Sequence, residues 1–202
     1  MQINSKRVHP DNVTETIKHF LLQTEPNNRK SSLLAMYSMY VIFMKASKRY
    51  RGKSLAPLKF HTGPDSRSKP FGDIDVNYPD NTPFESVEIK YNKPITANMI
   101  GIVYRKIKNT KIDRYYILTT SEPNFDNYKS VMQKIEKYHK LHPCEIVVDG
   151  VIPSLKYYLR LLRNPQDIIG EYTKWLEFEY QRASGIKREH LRVWREIRQN
   201  LQ

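Results

Sequence analysis

Two short segments, Phe71-Gly72-Asp73-Ile74-Asp75-Val76 and Ser86-Val87-Glu88-Ile89-Lys90-Tyr91, constrain this chain more than any other feature. In each, apolar residues alternate with acids or a lysine, the period-2 pattern of a pleated strand with one buried face. Between them, Asn77-Tyr78-Pro79-Asp80-Asn81-Thr82-Pro83 is dense in turn formers, so a hairpin is the economical connection. Asp75, Glu88 and Lys90 are thereby expected on one face of adjoining strands, with Asp73 sharing the parity of Asp75.

The chain around this hairpin reads as α/β. Val13, Ile17, Phe20 and Leu21 follow helical spacing behind Asn12 and Glu15, which resemble a capping box. Ser31 or Ser32 caps a second, largely apolar helix running through Met44. That apolar stretch falls short of the roughly 18 residues needed to span a bilayer. Lys45, Lys48, Arg49, Arg51 and Lys53 then read as a basic helix end entering a loop. After the second acidic strand, Thr96 caps a helix running to about Lys108, and Asp113 to Thr120 is a strand rich in aromatic and β-branched residues. A helix over Tyr128 to Leu141, a strand over Cys144 to Asp149 and a helix over Val151 to Arg163 continue the alternation. Residues from Pro165 onward read as helical only. There Ile186, Val193, Trp194, Ile197 and Leu201 form an apolar stripe of core type, with Arg188, Arg192 and Arg195 on a different face. The expected division is an α/β core over 1–164 and a helical C-terminal extension over 165–202.

Composition narrows the partners. With 34 Lys and Arg against 21 Asp and Glu in 202 residues, the net charge is +13. Such an excess favours a polyanion, nucleic acid first and an anionic membrane second. A lone cysteine, Cys144, excludes an internal disulfide and a thiolate metal cluster, and suits a reducing compartment. Met1 to Arg7 lack the apolar stretch of a secretory signal, so a cytoplasmic protein without a membrane partner is expected. The six histidines show no metal-ligand spacing, and no GxxxxGK[ST] phosphate loop is present.

Taken together, the Gly72-Asp73-Ile74-Asp75-Val76 strand, the short gap and Val87-Glu88-Ile89-Lys90 resemble the PD-(D/E)xK nuclease superfamily, which includes many type II restriction endonucleases. The order of elements about the hairpin is similar too, and the resemblance covers about Leu33 to Asp149. It implies a restriction endonuclease-like fold, a central mixed β-sheet flanked by helices. It also implies Mg²⁺-dependent hydrolysis of DNA phosphodiesters, leaving a 5′-phosphate and a 3′-hydroxyl. Asp75, Glu88 and Lys90 would be catalytic, with the metal held by Asp75, Glu88 and the Ile89 carbonyl. Two positions compete for the first carboxylate. A Gly-acid-apolar-Asp-apolar signature selects Asp75 and a Pro-Asp signature would select Asp73, which here follows glycine; the other acid would act through water. Arg67, Lys69, Lys93, Arg105, Lys106 and Lys108 flank the proposed centre and are candidate phosphate contacts to double-stranded DNA, and Tyr91 and Asn92, directly after Lys90, are either substrate-side or ordinary strand-end residues. Membership of the restriction class implies a homodimer and a cognate DNA methyltransferase as a functional partner. Two rivals are a structure-specific nuclease acting on branched or repair intermediates, and a non-catalytic nucleic-acid-binding module.

Overall fold

A computed structural model describes residues 8–25, 29–58 and 70–199. The protein is α/β, with a five-stranded mixed sheet and seven helices among the described residues. In chain order these are α1 Pro10–Gln23, α2 Arg29–Ala46, β1 Ser54–Leu55, β2 Ile74–Asn77, β3 Pro83–Lys90, α3 Ala97–Ile107, β4 Arg114–Thr119, α4 Tyr128–His139, β5 Glu145–Gly150, α5 Val151–Arg160, α6 Asp167–Gln181 and α7 Arg188–Gln199. They form two compact units. Residues 50–151 hold the sheet, and residues 1–49 with 152–202 hold the helices of both chain ends. The boundary expected at 164/165 falls in the loop between α5 and α6, within the second of these units.

In the sheet unit the strands lie in sequence order. β1, β2 and β3 pair antiparallel, and β4 and β5 add parallel to β3. The acidic hairpin is formed in the register Ile74↔Val87 and Asp75↔Ser86. Parallel pairing of β3 with β4 requires a crossover, which α3 supplies. Its start is as the sequence indicates, with the Thr96 hydroxyl accepting the Met99 N–H at 3.3 Å. One core lies between the sheet and α3 with α4. Ile100, Val103 and Ile107 of α3 and Val131 of α4 meet Tyr115, Ile117 and Ile146 of the strands, all buried. Stacked rings of Tyr104 and Tyr138, 4.0 Å apart, join the two helices. Period-2 alternation in strands and 3.6-residue spacing in α3 thus bury their apolar sides together.

The helical unit is held by aromatic packing. Phe20 of α1 and Tyr172 of α6 meet Trp194 of α7 edge to face, at 5.2 and 4.9 Å. Trp194 is buried and donates its indole N–H to Thr173 Oγ1 at 2.7 Å, so a large apolar ring is sealed without an orphaned donor. Of the predicted apolar stripe Ile186 is buried as well, Val193 and Ile197 are half-buried and Leu201 lies outside the described residues, while Arg188, Arg192 and Arg195 are exposed.

Several boundaries differ from the sequence reading for identifiable reasons. α1 begins at Pro10, with His9 as its N-cap, because proline is pre-set for the first helical turn. Asn12 and Glu15 lie inside it. α2 begins at Arg29, so Ser31 and Ser32 are buried within the helix and do not cap it. The basic stretch after Ala46 contains a single 3₁₀ turn, Lys48–Tyr50, and the unanticipated two-residue edge strand β1, too short to carry a periodicity signal. No helix among the described residues is long and apolar enough to cross a membrane.

Candidate active site

The register of β2 and β3 places Asp75, Ser86, Glu88 and Lys90 on one face, because each pair is separated by an even number of steps along or across the strands. Glu85 has the opposite parity; it is fully buried and accepts from the Tyr50 hydroxyl at 2.9 Å. Two glutamates three residues apart on β3 thus do different work on opposite faces.

Asp75 is held tightly. Its Oδ1 accepts from the Ser86 hydroxyl at 2.7 Å and the Gly72 N–H at 3.0 Å, and its Oδ2 accepts the Phe71 N–H at 3.2 Å. The carboxylate therefore ties the entry of β2 to β3. Gly72 is required there, since a Cβ at this position would lie 2.4 Å from the Val87 carbonyl oxygen. Asp73 lies just before β2. Its N–H donates to the Val87 carbonyl and its Oδ2 accepts the Ile89 N–H, both at 2.7 Å, so the side chain satisfies β3 where the β2 backbone no longer does.

Glu88 lies at the centre. Lys90 pairs with its Oε1. Its Oε2 receives the Lys106 ammonium at 3.0 Å and lies 2.6 Å from the Tyr115 hydroxyl. Lys106 reaches in from α3 and also contacts the Phe71 carbonyl at 2.8 Å and Tyr115 Oη at 3.0 Å. Burial alone would raise the Glu88 pKa, but hydrogen bonds from Lys90 and Tyr115 and the charge of Lys106 overcome it and hold the carboxyl down at about 2. Tyr115 shows the reverse. Burial and the negative charges of Glu88, Asp75 and Asp73 all push its pKa up, so the phenol stays protonated. Three carboxylates of the acidic hairpin, Glu88, Asp75 and Asp73, thus act electrostatically on one hydroxyl.

The sequence-predicted residues distribute as follows. Asp73, Asp75, Glu88, Ile89 and Lys90 are adjacent on the two strands. Asn92, Lys93 and Arg105 are exposed and Tyr91 is half-buried beyond the end of β3. Asn92 takes a left-handed turn conformation, φ 46°, and donates its N–H to Thr120 Oγ1, which fixes the chain just past Lys90. Arg67 and Lys69 lie outside the described residues. Sequence reasoning assigned no site role to Ser86 or Tyr115 and treated Lys106 as a flanking cation. The parity of Ser86 with Glu88 was the available signal, whereas the place of Tyr115 opposite Ser86 follows only from the parallel register of β3 with β4.

Chemically, this is a hard oxygen donor set beside two ammonium groups. Among the described residues no three His, Cys, Asp or Glu side chains gather as a metal centre. A divalent cation here would rest on Glu88 with one aspartate, completed by backbone oxygen and water, a donor number that suits Mg²⁺. Compared with known proteins, the chain matches no family model and no curated protein.

Proposed function

We propose that this chain is a Mg²⁺-dependent DNA endonuclease of the PD-(D/E)xK type, of the restriction kind that cuts double-stranded DNA at a specific site. One observation carries the reading: Glu88 and Lys90 are in direct contact at the end of β3, with Asp73 and Asp75 on the neighbouring chain segment. The order of a helix, the acidic antiparallel hairpin, a crossover helix and a parallel strand supports it, being the order of elements the resemblance implies. So does the +13 net charge, which attracts a polyphosphate.

In this reading Asp75 and Glu88 hold the ion with the Ile89 carbonyl, and Asp73 assists through water. When bound, the ion offsets charge on the phosphodiester and lowers the pKa of attacking water. Lys90 orients that water and stabilises the charge that develops in the transition state. Lys93 and Arg105, with Arg67 and Lys69, neutralise backbone phosphates, and Tyr91 and Asn92 are substrate-side contacts. A palindromic target would be matched by a homodimer, and a cognate methyltransferase would protect the host sequence.

A second reading, a nucleic-acid-binding module without catalysis, is favoured by one feature: both Asp75 oxygens are already engaged by Phe71, Gly72 and Ser86. Incubating the protein with plasmid and with branched duplexes, in Mg²⁺ and in chelator, separates the readings. Discrete Mg²⁺-dependent plasmid fragments support restriction. Cuts confined to junctions point to a structure-specific nuclease. Retention of DNA without strand breaks in Mg²⁺ would overturn the enzymatic reading.

A further inference from the structure

Lys106 and Tyr115 do more than the two-carboxylate-and-lysine reading asks of them. The Lys106 ammonium contacts Phe71 O at 2.8 Å, Glu88 Oε2 at 3.0 Å and Tyr115 Oη at 3.0 Å. Three acceptors use all three of its protons. Tyr115 Oη in turn lies 2.6 Å from both Phe71 O and Glu88 Oε2 but owns a single proton. One of those two close oxygen pairs is therefore made without a proton from the phenol. The Lys106 charge, in reach of all three oxygens, is what makes their crowding favourable. By contrast, Glu88 Oε1 has Lys90 as its partner among the described residues.

Resting on the nuclease reading, we propose that Lys106 and Tyr115 are the positioning pair of this site. They lock Glu88 Oε2 and leave Oε1, held by Lys90 alone, as the oxygen that a divalent cation takes over. The two lysines on one carboxylate then have unlike roles. Lys106 is a fixed anchor that joins α3, β3, β4 and the turn at Phe71. Lys90 is the exchangeable partner, released from Oε1 to the reacting phosphate when the cation binds. Partners that orient a metal-ligating carboxylate in this way are typically worth about 10–100-fold in metal affinity.

The test is Ca²⁺ binding by calorimetry on the whole chain, comparing Lys106→Met, Tyr115→Phe and Lys90→Met with the parent protein, alongside thermal melts without metal. Lys106→Met and Tyr115→Phe are expected to weaken Ca²⁺ by about 10-fold or more. Lys90→Met is expected to bind Ca²⁺ as tightly as the parent or more so, because a competing ammonium is gone. In the melts, the first two variants lose roughly 3 °C or more, and Lys90→Met loses less. Equal Ca²⁺ affinity for Lys106→Met and the parent, or weakening confined to Lys90→Met, would overturn the assignment. If the folded parent binds no Ca²⁺ at all, the metal-nuclease reading fails. The melts then still score the anchor: unequal losses support it and equal losses refute it.

Discussion

Polar groups are buried in both compact units, yet in opposite ways. In the sheet unit a half-buried network gathers Lys90, Lys106 and Tyr115 on Glu88, with the Ser86–Asp75 pair beside it on the same face. In the helical unit they are isolated. Glu179 is fully buried and its Oε2 takes Lys30 at 2.8 Å together with the Ser184 hydroxyl, while Oε1, like Ser31 Oγ and Ser38 Oγ, has no hydrogen-bond partner among the described residues. A network of this kind brings several charges to one partly desolvated point, where each strengthens the rest. An isolated pair satisfies a single residue and leaves aromatic packing to carry the stability. The contrast is why the proposed chemistry is assigned to the sheet unit and not to the helical one.

The comparison is broken most directly at the network. Glu88→Ala and Lys90→Ala are each expected to lower the DNA cleavage rate by about 10³-fold, with fold and much of the DNA affinity retained, as measured by single-turnover assays beside binding titrations. Retained turnover in either variant would dissolve the distinction between the units. On the scaffold side, Trp194→Ala removes a buried ring with two aromatic neighbours and is expected to cost about 3–5 kcal/mol by chemical denaturation.

Asymmetry sharpens the picture next. Lys30→Met strands a fully buried carboxylate and is expected to cost about 3 kcal/mol. Glu179→Met leaves only a lysine that is already 23% exposed, and is expected to cost under about 1 kcal/mol. Comparable losses in the two variants would show that this pair behaves like the network.

Acid unfolding probes the network again. The Glu88 pKa falls from its usual 4.5 to about 2 in the folded chain, so its ionisation favours the native state. That contribution is fully present above the unfolded value and is lost as pH falls from about 4.5 towards 2. In metal-free protein, Glu88→Gln should flatten the stability profile across that window, and an unchanged slope would count against the network. The smallest expected effect concerns Cys144. Burial first, then the charges of Asp113 and Glu145, push its thiol up to about 12, so it should react with thiol reagents only on unfolding.

Much of this was legible before the fold was known, because it depends on local periodicity. The acidic hairpin, its turn, the Thr96 cap and the strands over Arg114–Thr119 and Glu145–Gly150 follow from alternation, turn chemistry and β-branched content within a few residues. The same is true of the Trp194 stripe. What local pattern does not carry is the meeting of distant side chains. Lys106 looks like any cation near a helix end, and Tyr115 like any aromatic in a strand.

The sequence by itself determined which strand faces bear the charges, since parity is a property of the extended backbone. It equally determined the chemical kind of the site, because two carboxylates and lysines on adjoining strands remain hard oxygen donors beside ammonium groups. Tertiary structure decided which oxygen of Glu88 meets which lysine, how Asp73 and Asp75 divide between satisfying β3 and tying the entry of β2, and that helices from both chain ends share one unit. Those outcomes depend on the parallel register of β3 with β4 and on where α3 crosses the sheet. Both are fixed by burying Ile100, Val103 and Ile107 against the sheet, a non-local packing choice that no short window of sequence encodes.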